Sequence, residues 1–455
     1  MRVDAEFYQR RHLQLEKKLA KIGSISIDKA GAILDCSAFY PSITDQYNFE
    51  GKGVPFLRVN EIQNGLVKTT STTAFLPPHV LESNPKTIAI AYPFDIVIAK
   101  GGNSLAKLGL LTNDYEQYAV SRDLIVMRTS TLNRNKYFVW VFLHSTYGQE
   151  LLLRTASQTG QPHLTLPSVV QIEVPVYSEQ FEKSAETLYV KSVKLKNDSI
   201  ELYKQAEEKL VDELGISDFS PQNEVSNIKS FKNSFDTTGR LDAEFYQSKF
   251  EELEREISKT HKLCPLSKFV TVNQRGTQPS YAEEGLRVIN SKHVREGEVV
   301  LSDNRFAHVP RKKDFLVIKK GDVLINGTGV GTIGRSAPYL YDENAIPDNH
   351  VTILRTTELS PVFLAVYLNS IAGRYQVEKY FKGSSGQIEL YPKDIDCFYV
   401  PLVDMAIQID IEKLVNESFR LKAESNHLLG VAKRAVEIAI EKDEAAGIEY
   451  IRGNS

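Results

Sequence analysis

The stretch Asp-Ala-Glu-Phe-Tyr-Gln, residues 4–9 of this chain of 455 residues, occurs a second time as residues 242–247. The second copy begins 238 residues after the first (242 minus 4), whereas solenoid repeats are only roughly 20–50 residues long. The spacing therefore predicts two copies of one domain-sized module. Whatever one half of the chain does, we expect the other half to do to a second, similar target.

The duplication extends over most of the chain and keeps its order. Arg128-Thr129 closes a strand-like run as Arg355-Thr356 does, and Gly160-Gln161 matches Gly386-Gln387. Further matches join residues 56–60 with 285–290, residues 94–98 with 321–325, and Pro175 with Pro401. The offset between matching residues changes only by loop-sized amounts, so both halves are predicted to share one internal plan.

The composition is typical of a soluble globular protein. Hydrophobic residues make up 42% of the chain and charged residues 25%. The net charge is −3, so any binding of nucleic acid has to come from local patches. No apolar run predicts a membrane span, and the acidic N-terminus lacks the apolar segment of a signal peptide. We expect a cytoplasmic protein.

The cysteines and histidines predict neither disulfides nor a metal site. Cys36, Cys264 and Cys397 are far apart and form no Cys-x-x-Cys pair. This pattern favours small buried side chains in a reducing compartment. The nine histidines do not form the clusters that zinc requires.

Each half is predicted to open with a helix, which spans residues 5–22 in the first half. A region of short β-branched and aromatic runs follows, broken by turn residues. The clearest predicted strands are residues 94–99, 122–128, 315–319 and 350–355, and helices are predicted within this region at residues 137–147 and 361–372.

Each half ends in a long amphipathic helix with leucines seven residues apart. They are Leu188, Leu195 and Leu202 in the first half, and Leu414, Leu421 and Leu428 in the second. A strict period of seven predicts a coiled-coil seam, although a helix packed on its own domain is the alternative. Two such helices in one duplicated chain favour antiparallel pairing with each other.

These patterns predict five segments. Residues 1–178 form the first β-rich domain and residues 179–215 the first long helix. A connector rich in Ser, Asn, Pro and Asp spans residues 216–239. Residues 240–404 form the second domain, and residues 405–445 form the second long helix.

No catalytic or cofactor motif is complete. Residues 329–334 satisfy Gly-x-Gly-x-x-Gly, but Pro338 blocks the helix that a dinucleotide site requires, which favours a strand-to-strand loop. The chain has no P-loop, nucleophile elbow, zincin or kinase motif. Asp95 and Lys100 are typical of a nuclease motif, but Ile98 stands where its second carboxylate is needed. We therefore predict no catalytic residues, no bound metal and no bound cofactor.

Polar loops remain as candidates for contacts to bases and phosphates. Lysine and arginine suit phosphates or guanine edges, and asparagine and glutamine suit adenine edges, although solvated surface loops are the alternative. The candidates are Arg58, Lys100, Asn103, Lys107, Gln161 and His163 in the first half, and Arg287, Asn326, Thr328, Arg335, Lys382, Ser384 and Gln387 in the second. These loops differ while the framework repeats, as expected for two modules with different targets.

In these features the chain resembles the specificity subunit of a type I restriction–modification system. The resemblance covers nearly all 455 residues. It rests on the repeated hexapeptide, on Thr-Gly-Arg-Leu at residues 238–241, and on Gly-Thr-Ile-Gly-Arg-Ser at residues 331–336. It also rests on Gly-Gln followed by a Val-Pro ending in each half, and on the paired terminal helices. It implies an α+β fold in which an antiparallel coiled coil of two long helices separates two target-recognition domains with mixed β cores and short helices.

The resemblance also implies a function. Each domain would recognise one half of a bipartite site in double-stranded DNA, and the helices and adjoining regions would recruit two modification subunits, which are adenine-N6 methyltransferases. A restriction subunit, an ATP-driven translocase, can then join. The chain itself would be non-catalytic and bind no cofactor, with S-adenosylmethionine, ATP and Mg²⁺ on the partner subunits. The first half departs from the pattern, with Lys107-Leu108-Gly109 in place of the Gly-Thr-Ile-Gly-Arg run.

Two other functions stay open. A nuclease or methyltransferase fused to a recognition region would need a methylase Asn/Asp-Pro-Pro-Tyr/Phe motif or a nuclease triad, and the sequence has neither. A coiled-coil scaffold that binds only protein, without DNA specificity, is the second. Salt-dependent binding to duplex DNA would distinguish recognition from scaffolding.

Overall fold

The computed structural model describes residues 5–38, 43–63, 65–70, 72–156, 161–222, 226–309, 314–383 and 386–455. The chain divides into two compact units, the first formed by Met1–Lys196 with Ala423–Ser455 and the second by Asn197–Lys422. Both boundaries between the units fall inside long helices. The five segment boundaries predicted from the sequence follow secondary structure instead, and they stay a prediction.

The first unit contains two mixed sheets and a two-stranded ribbon. The larger sheet has the order β2-β11-β8-β9-β5-β4, the smaller one β6-β3-β10-β7, and the ribbon joins β1 to β12. The strands are β1 (Ser24–Ser26), β2 (Ile33–Asp35), β3 (Val54–Leu57), β4 (Ile62–Gln63), β5 (Leu66–Val67), β6 (Ala74–Leu76), β7 (Ala89–Ala91), β8 (Ile96–Ala99), β9 (Leu108–Leu110), β10 (Tyr118–Val120), β11 (Leu124–Arg128) and β12 (Glu173–Pro175). Strands β8 and β11 are almost entirely buried, as their continuous apolar sequences require.

The helices of the first unit cover these sheets. They are α1 (Arg10–Ile22), α2 (Pro78–Ser83), α3 (Lys136–Leu143), α4 (Thr146–Thr155) and α5 (Leu166–Val169). Asn135 caps α3 by accepting the backbone N–H groups of Tyr137 and Phe138. The single helix predicted at residues 137–147 is wrong, because Ser145 ends that run and caps α4 by accepting the Gly148 N–H.

The second unit repeats this topology. The sheet β14-β23-β20-β21 corresponds to β2-β11-β8-β9, the sheet β15-β19-β16-β22 contains a parallel pair as the first small sheet does, and β13 pairs with β24. The strands are β13 (Leu263–Pro265), β14 (Val270–Arg275), β15 (Tyr281–Ala282), β16 (Leu286–Ile289), β17 (Val294–Arg295), β18 (Glu298–Val299), β19 (Phe306–Ala307), β20 (Val323–Asn326), β21 (Ser336–Pro338), β22 (Ala345–Pro347), β23 (Val351–Thr356) and β24 (Tyr399–Pro401). The strand predicted at residues 315–319 is wrong, since Asp314–Leu316 is a 3-10 turn.

Repeated residues build the same framework contacts in both units. In the first, Asp95 is buried beneath the Arg128 guanidinium, with 2.9 Å between carboxylate and Nη1. In the second, buried Asp322 accepts hydrogen bonds from Arg355 Nε and Nη2 at 2.6 and 2.7 Å. The repeated Asp and Arg therefore stabilise the turn that enters the central strand, β8 in the first unit and β20 in the second.

The repeated hexapeptide has an equivalent role in packing. The Phe7 ring lies beneath the Arg154 guanidinium, 4.1 Å from its centroid, and Arg154 also pairs with Glu16. In the second unit, Lys379 lies 5.5 Å from the Phe245 ring and pairs with Glu254. The phenylalanine of each hexapeptide thus docks against a cation on a core helix.

The second unit contains α7 (Phe235–Thr238), α8 (Ser248–Ser258), α9 (Pro361–Asn369), α10 (Ile371–Tyr380) and α11 (Pro392–Ile395). As in the first unit, a helix predicted as one segment, at residues 361–372, is divided by a serine. Ser370 separates α9 from α10, and its hydroxyl donates to the Tyr367 carbonyl. The predicted fold class, α+β with two duplicated modules that have mixed β cores and short helices, is confirmed.

The long helices are α6 (Glu179–Glu213) and α12 (Met405–Glu441), and α13 (Glu444–Asn454) follows. Helix α6 packs against α12, and the predicted antiparallel pairing is confirmed within each unit. In the first unit the Ser192 and Ser425 hydroxyls lie 3.2 Å apart, and Ser178 contacts Glu444. Among the residues that the structure describes, no helix combines the length and apolar composition that crossing a membrane requires.

Small residues, rather than the predicted leucines, occupy the centre of the helix contact. Leu188, Leu421 and Leu428 are buried, but Leu195, Leu202 and Leu414 are only half-buried. A second set with the same spacing of seven is at most 7% exposed: Ala185, Ser192, Ser199 and Ala206 on α6, and Ser418, Ser425, Ala432 and Ala439 on α12. Ser418 donates to the Ser199 carbonyl, and Ser425 to the Ser192 carbonyl, both at 2.7 Å. The helix backbones therefore approach more closely than a leucine seam allows.

Candidate nucleic-acid interface

The first candidate loop follows β8 and is held by backbone hydrogen bonds. The Lys100 N–H donates to the Asp123 carbonyl, and the Leu164 N–H donates to the Lys100 carbonyl, both at 2.8 Å. Gly101 pairs with His163 in an isolated bridge, and a Cβ added at Gly101 would lie 2.5 Å from His163 Nδ1. The close approach brings the two predicted segments, around Lys100 and around His163, side by side.

The first loop, residues 100–107, and the adjoining segment around His163 display polar and cationic side chains. Asn103, Lys107, Gln161 and His163 are exposed, and Lys100 is half-buried. Within the described part of the chain, neither Lys100 nor Lys107 forms an ion pair, and partial burial lowers the pKa of Lys107 below its usual value. An unpaired lysine on a held loop is available to a phosphate.

The second candidate loop follows β20 and uses equivalent bonds. The Gly327 N–H donates to the His350 carbonyl, and the Leu390 N–H donates to the Gly327 carbonyl, again at 2.8 Å. Thr328 pairs with Glu389 in an isolated bridge, as Gly101 does with His163. The half-buried Thr328 lies with its hydroxyl 2.8 Å from His350 Nδ1. The two units thus present one loop geometry with different side chains.

The glycine-rich run Gly329 to Gly334 joins β20 to its antiparallel neighbour β21. The predicted strand-to-strand loop is confirmed. Gly334 has φ +80°, and a Cβ there would lie 2.7 Å from a methyl group of Val377, so this position requires glycine. Arg335 follows, half-buried, and its guanidinium has no hydrogen bond or ion pair to any residue that the structure describes. Val330 at the tip is 69% exposed.

Two of the predicted contacts, Asn326 and Ser384, are not among the exposed side chains of the described loops. Asn326 is completely buried, and its Nδ2 donates to the carbonyls of Ser291 and Val294 at 3.0 and 3.2 Å. Its prediction as a DNA contact is wrong, because the amide supports the loop from inside. Ser384 lies outside the described residues.

The other predicted cations are already engaged. Arg58 donates to Glu61 and to the Thr72 carbonyl, Arg287 pairs with Glu343 at 3.1 Å, and Lys382 pairs with Asp394 at 2.7 Å. Each side chain remains at least one third exposed, and Gln387 is exposed. As DNA contacts, these residues stay predictions.

The sequence reasoning missed a polar cluster beside the second loop. Arg275, at the end of β14, donates through Nε to the Asn349 carbonyl at 2.6 Å and through Nη1 to Glu389 at 3.3 Å. Its guanidinium lies 5.4 Å from the centroid of the Tyr391 ring, which is 40% exposed. A hydrogen bond from Tyr391, and then the hydrogen bond and charge of Arg275, lower the pKa of Glu389. Tyr391 directly follows Leu390, the match of Leu164, so closer alignment of the halves could have singled it out.

No protein-family model and no curated protein sequence matches this chain. Among solved structures, the chain is similar to a crystal structure of the S subunit of a type I restriction–modification system from M. genitalium, with 14% identity over 92% of this chain and 95% of that chain and a TM-score of 0.42. It is similar to a crystal structure of the HsdS subunit from Thermoanaerobacter tengcongensis, with 14% identity over 93% and 97% of the two chains and a TM-score of 0.27. It is also similar to the type IIG restriction endonuclease BpuSI, with 13% identity over 39% and 28% and a TM-score of 0.30. With identities and TM-scores this low, the similarities do not define what this chain binds.

Proposed function

We propose that this chain is the sequence-specific DNA-recognition subunit of a type I restriction–modification complex, with each module recognising one part of a bipartite site. One observation supports this most. The same backbone bonds hold a loop after β8 and after β20, yet the side chains on the two loops differ. A duplicated protein with one target would keep these side chains alike, whereas two targets require them to differ.

The charges on the loops suit DNA. Lys100, Lys107 and Arg335 are cations without ion pairs in the described residues, although the whole chain has a net charge of −3. Phosphate contacts position a protein on the duplex, and base-edge contacts specify the sequence. The unpaired cations are suited to the first task, and the polar side chains around them to the second.

We further propose that the chain has no catalytic activity and recruits two adenine-N6 methyltransferase subunits in the cytoplasm, where a restriction subunit can join. S-adenosylmethionine, ATP and Mg²⁺ belong to those partners. Apolar side chains on the outer faces of the long helices support a protein partner. Val190 and Ile200 on α6, and Met405 and Ile409 on α12, are each at least 44% exposed. These side chains would gain stability by burial against another subunit.

The test combines methylation mapping with binding. Host DNA is sequenced for N6-methyladenine with and without this gene, and a single bipartite motif should depend on it. The chain, with its methyltransferase subunits, should then bind a duplex with that motif more tightly than a scrambled duplex, with affinity falling as salt rises. The purified chain alone should neither methylate nor cleave DNA. Turnover by the chain alone, or equal binding to both duplexes, would contradict the proposal.

A further inference from the structure

Three backbone positions that correspond in the two modules differ in chemistry. Leu164 and Leu390 make equivalent hydrogen bonds, so the next residues, Thr165 and Tyr391, correspond. The equivalent bridges of Gly101 and Thr328 make His163 and Glu389 correspond. Strands β2 and β14 pair with the matched strands β11 and β23, and Asp35 and Gln274 have the same register position in these pairs. The residues that follow them, Cys36 and Arg275, therefore correspond. Cys36, His163 and Thr165 in one module thus stand where Arg275, Glu389 and Tyr391 stand in the other.

We propose that Arg275, positioned by Glu389 and Tyr391, determines base specificity in the second module. The inference rests on the proposed function, because it names a recognition residue for DNA. The Glu389 carboxylate accepts from Nη1, the Asn349 carbonyl accepts from Nε, and the Tyr391 ring lies against the guanidinium. Three sides of the side chain are therefore held.

The remaining N–H groups of Arg275 are available to a ligand. Among the described residues, Nη2 has no hydrogen-bond partner, and the side chain is 18% exposed. A guanidinium fork held in one orientation matches the O6 and N7 acceptors of guanine. The base-pair position that Arg275 recognises should therefore be G·C. The first module has Cys36 in place of this arginine, so its half-site must be recognised by other side chains. His163, which occupies the position of Glu389, is exposed and is the candidate.

The test uses the complex of this chain with its methyltransferase subunits and the bipartite motif mapped for the wild type. Binding is measured to duplexes in which each base pair is replaced in turn. Wild type should discriminate against substitution of one G·C pair by about tenfold or more. Arg275→Ala should reduce that ratio to about one and leave the ratios in the other half unchanged. His163→Ala should have its effect only in that other half.

Two further variants separate recognition from folding. Arg275→Lys keeps the charge but loses the planar fork, so it should retain affinity for scrambled DNA and its salt dependence while losing discrimination at the same pair. Arg255→Ala removes an exposed arginine from α8 and should leave every ratio unchanged. The inference is overturned if Arg275→Ala and Arg275→Lys keep the wild-type discrimination at every base pair. It is also overturned if they lose discrimination in both halves of the site. Absence of any bipartite preference in the wild type instead overturns the proposed function.

Discussion

Replacing Asp95 by alanine should destabilise the first unit strongly. Asp95 is 2% exposed and accepts three hydrogen bonds, from Arg128 Nη1 at 2.9 Å, Thr129 N at 3.0 Å and Tyr92 N at 2.9 Å. A hydrogen bond to a charged group contributes about 1.5–3 kcal/mol, and removing one partner of a buried pair costs about 3–5 kcal/mol. The Arg128 side chain is 17% exposed and lies 3.6 Å from Asp35, which compensates in part. We expect a loss of about 3–4 kcal/mol.

The single tryptophan of the chain provides the assay. Trp140 is 1% exposed and belongs to the same compact unit as Asp95, so its fluorescence reports unfolding of that unit. With a urea m-value of about 3 kcal/mol/M, the unfolding midpoint of Asp95→Ala should fall by about 1 M. Glu50→Ala is the control, because its side chain is 70% exposed and, among the residues that the structure describes, pairs only with exposed Lys52. A midpoint shift no larger than that of the control would refute the reasoning from the buried ion pair.

Three further predictions follow from single residues. Arg335→Ala should weaken binding to all DNA sequences and lower the salt slope by about one, measured by anisotropy over a salt series, and an unchanged slope would exclude a phosphate contact. Ser425→Leu should lower the free energy of unfolding by about 1–3 kcal/mol or more, because the closely packed helices leave no room for leucine. Ser425→Ala should lower it by about 1 kcal/mol. Equal melting temperatures of the two variants would contradict close packing. Burial, and then the charge of Lys433, lower the pKa of His144 from 6.5 to about 4. The unfolded chain therefore takes up a proton first, stability falls as pH drops from 6.5 towards 4, and His144→Gln should remove that part of the acid sensitivity in the Trp140 fluorescence midpoint.

The sequence predicted the duplication and the long helices, because both depend on spacing alone. The predictions were wrong where a polar side chain could be either exposed to solvent or buried in a hydrogen-bonded position. Ser145 and Ser370 divide helices that hydropathy joins. The Ser145 hydroxyl caps α4 and the Ser370 hydroxyl donates to the last turn of α9, and such hydroxyl contacts give no apolar signal. Asn326 has the polar side chain expected of a loop residue, but it is buried, and two backbone carbonyls accept hydrogen bonds from its amide. The spacing of seven predicts leucines at the centre of the helix contact, whereas Ser192 and Ser425 lie there, because a small polar residue gives no apolar signal.

The repeated residues stabilise each module, whereas we propose that unrepeated residues recognise DNA, so the sequence predicts the fold more directly than the proposed recognition cluster. Phe7 and Phe245 dock against cations, and Asp95 and Asp322 bind arginines, so packing inside each module accounts for these repeated residues. A residue that must be the same in both copies cannot distinguish two DNA sequences. Information about the target therefore has to lie at positions where equivalent backbone supports unlike side chains. Arg275 meets that condition, because the corresponding position in the first module is Cys36, directly after β2, while the preceding strand residues pair in the same register.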